Sequence, residues 1–232
     1  EMILYNLGDK FLMRAFTELI IKNLKSKNPI VFDVGCYIGN FSNNLQKKLS
    51  LSKKSFYLFD ANPMLKVKNF NYYNEVFSNK IQMTDFHLNE FFPSSGSSLE
   101  VYTKNDLIWN FTRKLITLSL KKKFKSIKVK TNTLDHFCKE KKINEIDILK
   151  IDVEGSELKV LEGSKKILHK THIVQIEILQ NKKKFQEKKS KVIDLLKKYD
   201  FTKISEKSIY SVSIFSNLKA SDLLFVKLKT QF

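Results

Sequence analysis

Cysteine is nearly absent: Cys36 and Cys138 are the only two in 232 residues, and they lie far apart in the chain. A disulfide framework is excluded, and a reducing, cytoplasmic setting is the expectation. Glycine (six) and proline (three) are too scarce to build a flexible or polyproline linker, and no internal repeat is visible. One domain over residues 1–232 is therefore expected. Residue 1 is Glu rather than Met, which leaves a longer parent polypeptide open. No stretch approaches the roughly 18 uninterrupted apolar residues of a membrane-spanning helix, and the first residues do not read as a secretory signal. Arginine is also scarce, with only Arg14 and Arg113 among 42 basic residues.

What is present is a core and a great deal of lysine. Hydrophobic residues make up 42% of the chain and include 19 Phe, so wholesale disorder is excluded. The formal net charge is +18. Such a balance would ordinarily suggest nucleic acid or an anionic surface. Bidentate recognition of guanine or phosphate, however, relies on the planar arginine fork. Lysines that follow one another along a helix, as in Lys182, Lys183, Lys184, Lys188, Lys189 and Lys191, read instead as a solvated face. No specific nucleic-acid partner is expected.

The chain alternates short apolar runs with amphipathic stretches. Residues 9–26 have helical spacing, and PIVFDVG reads as a strand buried on both faces. A helix at FSNNLQKKL, a strand at SFYLFD and a strand near Tyr73–Phe77 follow. Strands are expected in IQMTDFHL, SSLEVY and SIKVKT, around a loop carrying Trp109. The alternation resumes with a helix at TLDHFCKEKK, a strand at EIDILKIDV and a helix at SELKVLEGSKKILHK. It ends with a strand at HIVQIEIL, a helix over 184–199 and a strand at DLLFVKL. This pattern predicts an α/β fold on a mainly parallel sheet, with ligands bound beyond the carboxyl ends of its strands.

Three motifs sit at such ends. Val31-Phe32-Asp33-Val34-Gly35 delivers a carboxylate and a glycine to a strand end, and Gly39-Asn40 opens the next helix. The spacing Gly-x-x-x-Gly is neither the dinucleotide fingerprint nor a P-loop. A carboxylate there suits a cationic or amine-bearing ligand better than a diphosphate, although an ordinary strand-to-helix turn has the same residues. The second strand ends in Asp60, followed by Ala61-Asn62-Pro63. That is where nucleoside-binding sheets place an acid for ribose hydroxyls, and also where a helix would take a cap. The third motif is Lys150-Ile151-Asp152-Val153-Glu154-Gly155-Ser156-Glu157. Asp152 and Glu154 fall beside the expected cleft, whereas Glu157 reads as favourable charge at a helix start. Glu177, inside the apolar strand 172–178, needs a function or a salt bridge. His87, His136, His169 and His172 fall in less favourable places, and the cysteines give no zinc pattern.

These stretches resemble the FkbM-type S-adenosylmethionine-dependent methyltransferases. FDVGCYIGNFS, LFDANP, VFSNK, GSSLEVY, VKTNTLDHF, ILKIDVEGSELKVLEGS and IVQIEI occur in the family's order over roughly residues 30–180, and KIDVEGSE with the later LEG is specific to it. The resemblance implies a doubly wound, mostly parallel seven-stranded sheet of the class I methyltransferase type, with an acceptor-side insertion at 88–125. It implies methyl transfer from S-adenosyl-L-methionine to a hydroxyl, most readily of a sugar in a glycan or glycoconjugate. Ribose or nucleic-acid methylation and a polyketide-like acceptor are the alternatives, and a glycosyltransferase domain, fused or separate, is a partner consistent with sugar modification. Carried over, the cofactor residues are Asp33, Gly35, Tyr37, Gly39, Asn40, Asp60, Asn62, Phe77 and Ser78. Asp152, Glu154 and Glu177 are the candidate catalytic carboxylates, with no metal assigned. Phe91, Phe92, Trp109 and Phe111, beside Ser94, Ser95, Ser97 and Ser98, would form an acceptor lid or an aromatic subcore.

Overall fold

A computed structural model describes residues 16–89, 97–100, 124–209 and 217–227. Residues 16–23 are helical (α1). Ten strands and five further helices follow. In chain order they are β1 (Val31–Val34), α2 (Asn40–Leu49), β2 (Phe56–Phe59), β3 (Asn71–Tyr73), β4 (Val76–Phe77), β5 (Met83–Asn89), β6 (Phe124–Asn132) and α3 (Leu134–Lys141). Then come β7 (Ile146–Ile151), α4 (Glu157–Glu162), α5 (Lys165–Leu168), β8 (Thr171–Asn181), α6 (Lys182–Lys197), β9 (Phe201–Ile209) and β10 (Leu218–Lys227).

Seven strands form one sheet in the order β3-β2-β1-β7-β8-β10-β9. Pairing is parallel from β3 through β8, and β10 runs antiparallel to both its neighbours. This is the mostly parallel, doubly wound α/β fold that the alternation predicts. β1, at the centre, reads VFDV with every residue buried, because helices and loops cover both its faces. One apolar layer gathers Phe32, Phe59, Leu149, Ile151 and Ile176 with Phe137 of α3 and Phe185 of α6. The opposite layer gathers Val31, Leu58, Ile148 and Ile173 with Phe16 and Ile20 of α1 and Leu45 of α2. The chain winds outward from β1 to β2 and β3, then crosses back to β7 on the other side. The strand order therefore reverses between β1 and β7, and a crevice opens beyond their carboxyl ends.

Several elements differ from the sequence expectation. The strand expected near Tyr73–Phe77 is split: β3 continues the large sheet, while β4 joins a three-stranded sheet with β6 and β5. Asn74 and Glu75 make the break, and the Asn74 amide donates to the Asp60 carbonyl. The helix expected from Ser156 to Lys170 is two short ones, α4 and α5, parted at Gly163-Ser164. Gly163 lies so close to Ser78 that a Cβ would meet the Ser78 carbonyl oxygen at 2.1 Å. β9 was not anticipated, since its exposed edge position leaves the sequence FTKISEKSI with only Phe201 fully buried. The SSLEVY strand is reduced, over its described residues 97–100, to a single bridge between Ser98 and His87. Phe91, Phe92, Ser94, Ser95, Trp109 and Phe111 lie outside the described residues, as does most of the 88–125 insertion.

The Gly163 contact yields a stability test. Gly163→Ala should lower unfolding stability by about 1–3 kcal/mol through overpacking against the Ser78 backbone. Urea denaturation would show this as a lower midpoint at unchanged slope.

Candidate functional site

The crevice at the switch point is built from four backbone segments. Gly35 ends β1 with φ +80°. A Cβ there would lie 1.7 Å from the Asp152 carbonyl oxygen, so only glycine lets the β1 and β7 ends touch. Tyr37 follows in the left-handed region at φ +49°, and its N–H donates to Asp60 Oδ2 at 2.8 Å. Asp60 Oδ1 accepts from the Asn62 N–H at 2.9 Å. One carboxylate thus fixes the loops after β1 and β2. Burial pushes the Asp60 carboxyl up from its ordinary value, although the two N–H donors oppose that shift.

The opposite wall is the turn from Asp152 to Ser156. Glu154 and Gly155 both have positive φ, at +54° and +116°. Segment 97–100 lies against this turn: the Ser98 hydroxyl donates to the Val153 carbonyl at 3.4 Å, and Lys159 pairs with Glu100 at 2.9 Å. The cleft between these walls is floored by Val76, Phe77 and Phe86 and lined by Asp60, Glu75, Asp152 and Glu154. None of its described lining residues is Lys or Arg. A wider groove of about 650 Å³ adjoins it, sharing Ala61, Glu75 and Val76 and reaching Lys128, Lys130 and His136.

Lys150 holds the two walls together electrostatically. Its ammonium lies 3.1 Å from Asp152 Oδ2 and 3.4 Å from Asp33 Oδ1, and 5.8 Å from the Phe41 ring centroid. Burial works against the charge, but Asp152 and Asp33 outweigh it and hold the ammonium above the usual lysine range. Asp152 Oδ1 has no hydrogen-bond partner among the described residues. Glu177 stands nearby on β8, directly across from Asp222 of β10. Burial, then Asp152, Asp222 and Glu154, push its carboxyl well up, with Lys150 opposing.

The residues proposed from sequence divide accordingly. Gly35, Tyr37, Asp60, Phe77, Asp152 and Glu154 line the cleft. Asp33 does not: it is fully buried, accepts from the Ser42 hydroxyl at 2.7 Å, and faces Lys150 instead. Gly39 caps α2 and packs on Leu58 and Val67, and Asn40 is exposed on the first turn. Asn62 is buried in its own turn, accepting from the Met64 N–H at 3.0 Å. Ser78 is buried against Gly163, and Glu177 lies behind Asp152 rather than on the cleft wall.

Sequence reasoning missed Lys150, Glu75, Phe86 and Ser156. Lys150 was legible in principle, since a lysine inside an apolar strand needs an anionic partner. Glu157 does stand at the start of α4, as the sequence suggests, and it is also fully buried and paired with Lys188. Cys36 is buried with its thiol pushed up by burial and by Asp33 and Asp60, so it is no nucleophile. Glu145, Asp147 and His172 bring possible ligand atoms within 4.8 Å of one another, but at the opposite end of β7 and β8 from the cleft.

Fold and cleft define an α/β protein whose cleft opens at a topological switch point, between an acid at the end of the second strand and an acidic turn after β7. Residues 33–203 match the methyltransferase FkbM domain, and the chain belongs to that family. It is 25% identical over 169 residues to the 2-O-methyltransferase NoeI of Sinorhizobium fredii (strain NBRC 101917 / NGR234), a match covering 68% of this chain and 66% of NoeI. Among solved structures, methyltransferase FkbM from Methylobacillus flagellatus KT aligns at 9% identity and TM-score 0.48, covering 86% of this chain and 44% of that one. A putative RNA methyltransferase from Pyrococcus horikoshii aligns at 13% identity and TM-score 0.44, covering 95% and 82% respectively. No helix among the described residues is long and apolar enough to cross a membrane.

The environment of Glu177 predicts a pH effect of definite sign. A carboxyl whose folded pKa is raised stabilises the fold below its unfolded value, near 4.3, and that stability is lost as pH rises through the folded value. Glu177→Gln should therefore raise the thermal midpoint at pH 8 more than at pH 4.5. Thermal unfolding across that range checks it, and a larger gain at the acidic end would refute the sign.

Proposed function

We propose that this chain is an S-adenosyl-L-methionine-dependent O-methyltransferase acting on a hydroxyl of a sugar in a glycan or glycoconjugate, in the cytoplasm. The observation that carries the cofactor reading is local charge: a protein of net charge +18 lines its cleft with Asp60, Glu75, Asp152 and Glu154 and no cation among the described residues. That donor set suits a ligand bearing an ammonium and a sulfonium, and it is ill suited to a diphosphate. Apolar Val76, Phe77 and Phe86 suit the flat face of a purine. The residues present therefore fit the cofactor that the family implies. Family membership and the name of NoeI support transfer to oxygen.

Gly35 and Tyr37 would form the backbone wall against the cofactor, and Asp60 would accept from its ribose hydroxyls. Both Asp60 oxygens already take one backbone N–H, yet a carboxylate oxygen can accept twice. When bound, the cofactor supplies an electrophilic methyl group on sulfur. The protein's part is alignment of the acceptor oxygen, which contributes up to roughly 7–11 kcal/mol, and removal of one hydroxyl proton. Asp152 is the residue for that proton. Lys150 donates to its Oδ2 and anchors the carboxylate, while Oδ1 is left to accept from the acceptor hydroxyl. Glu177 is not among the residues that line the cleft and is the weaker candidate for the base. Glu154 would border the acceptor.

Two variants separate binding from chemistry. Asp60→Ala should raise the S-adenosylmethionine dissociation constant roughly 10- to 100-fold by calorimetry, the loss of charge-assisted hydrogen bonds. Asp152→Asn should leave that constant nearly unchanged while turnover falls about 10²–10⁴-fold. Transfer of labelled methyl across a panel of glycoside acceptors measures turnover and tests the sugar assignment. Labelling of RNA but of no glycoside would move the assignment to ribose methylation.

A further inference from the structure

Ser156 stands at the N-cap of α4, where a serine oxygen ordinarily accepts from an N–H two or three residues on. Thr133 does so at α3, accepting from the His136 N–H at 3.1 Å. Ser164, at the N-cap of α5, donates to the Val160 carbonyl at 2.6 Å. Ser156 does neither. It is only 2% exposed, it makes no capping bond, and its hydroxyl has no hydrogen-bond partner. The residue nevertheless lines the cleft, on the same wall as Asp152 and Glu154. A buried hydroxyl without a partner costs stability and calls for an explanation.

The surrounding turn keeps the hydroxyl from relaxing into a cap. Glu157 Oε1 accepts from the Gly155 N–H, and Lys188 donates to Glu157 Oε2, to the Gly155 carbonyl and to the Leu179 carbonyl. The residues on both sides of Ser156 are thereby fixed by a buried ion pair from α6, with Glu154 and Gly155 held at positive φ.

We propose that the Ser156 hydroxyl is a cofactor-binding group, satisfied only when S-adenosylmethionine or its demethylated product fills the cleft. The inference rests on the methyltransferase reading above and names a residue that the family motif contains without a stated role. The cofactor is the partner rather than the acceptor because Ser156 is almost fully buried on the cleft wall. The acceptor must instead be reached from the rim.

The test uses S-adenosylhomocysteine as the probe, so no acceptor is needed. Calorimetric titration of Ser156→Ala should show a dissociation constant raised roughly 3- to 20-fold over the wild type. Thermal unfolding of the same variant without ligand should give an unchanged or higher midpoint, since the substitution removes an unsatisfied buried group. These opposite signs are the signature: a hydroxyl with a structural role would lower the midpoint. Binding within twofold of wild type, or a ligand-free midpoint lowered by several degrees, overturns the proposal alone. A wild type that fails to bind S-adenosylhomocysteine overturns the cofactor reading, and this proposal with it.

Discussion

The site depends on one buried cation. Lys150 comes from β7, yet its ammonium serves Asp33 of β1 and Asp152 beyond β7 together, and Phe41 of α2 covers it. Without it, carboxylates from two adjacent strands would face each other under the cleft in a medium that screens poorly. Their mutual repulsion would then go uncompensated. With it, Asp33 has a fixed partner, and Asp152 is an anchored acceptor whose Oδ1 makes no hydrogen bond among the described residues. The Gly35–Asp152 backbone contact is the steric half of the same arrangement: the loops meet because no Cβ intervenes, and the charges tolerate the meeting because a lysine lies between them.

A second buried pair does comparable work one layer out. Glu157 and Lys188 are removed from water together, and the lysine's remaining donors go to two carbonyls, so the pair is saturated. Burial raises the Glu157 carboxyl even so, and Lys188 opposes that shift. An ion pair of this kind adds little net stability over an apolar replacement. What it fixes here is shape, since the turn that carries Asp152, Glu154 and Ser156 is held through both backbone groups of Gly155. The two pairs divide the labour: Lys150 sets the charge of the wall, and Lys188 sets its path.

Much of this was readable from the chain. Buried strands alternating with amphipathic helices gave the parallel sheet, and carboxylates at strand ends marked the cleft. Asp60, Asp152 and Glu154 stand where the periodicity puts them. What failed was the assignment of neighbours. Asp33 lies inside β1, opposite Leu58 and two positions short of the level of Asp60, and its side chain meets Ser42 and Lys150 instead of the cleft. Period-two alternation gives a residue's face, and its partner on that face comes from another strand whose register only the fold reveals. The same limit explains Glu157 and Lys188, which are 31 positions apart yet form one group. β9 was missed for a different reason, because an edge strand exposed to water need not carry an apolar pattern at all.

Net charge is the property of this chain most open to misreading. The lysines sit mainly where they can be solvated or paired, as Lys189 is with Glu206 and Lys191 with Glu187, and those pairs contribute little to stability. The cleft has the opposite sign. Over a separation greater than about a Debye length, roughly 8 Å at physiological salt, exposed lysines are screened from a ligand, whereas Asp60 and Asp152 act on it directly through partly buried space. A cationic ligand would therefore meet a surface that opposes its approach weakly and a cleft whose lining carboxylates attract it. A polyanion meets the reverse, attraction outside and repulsion at the cleft. The sign of the few charges that line the cleft, and not the sum over 232 residues, decides which ligand can stay.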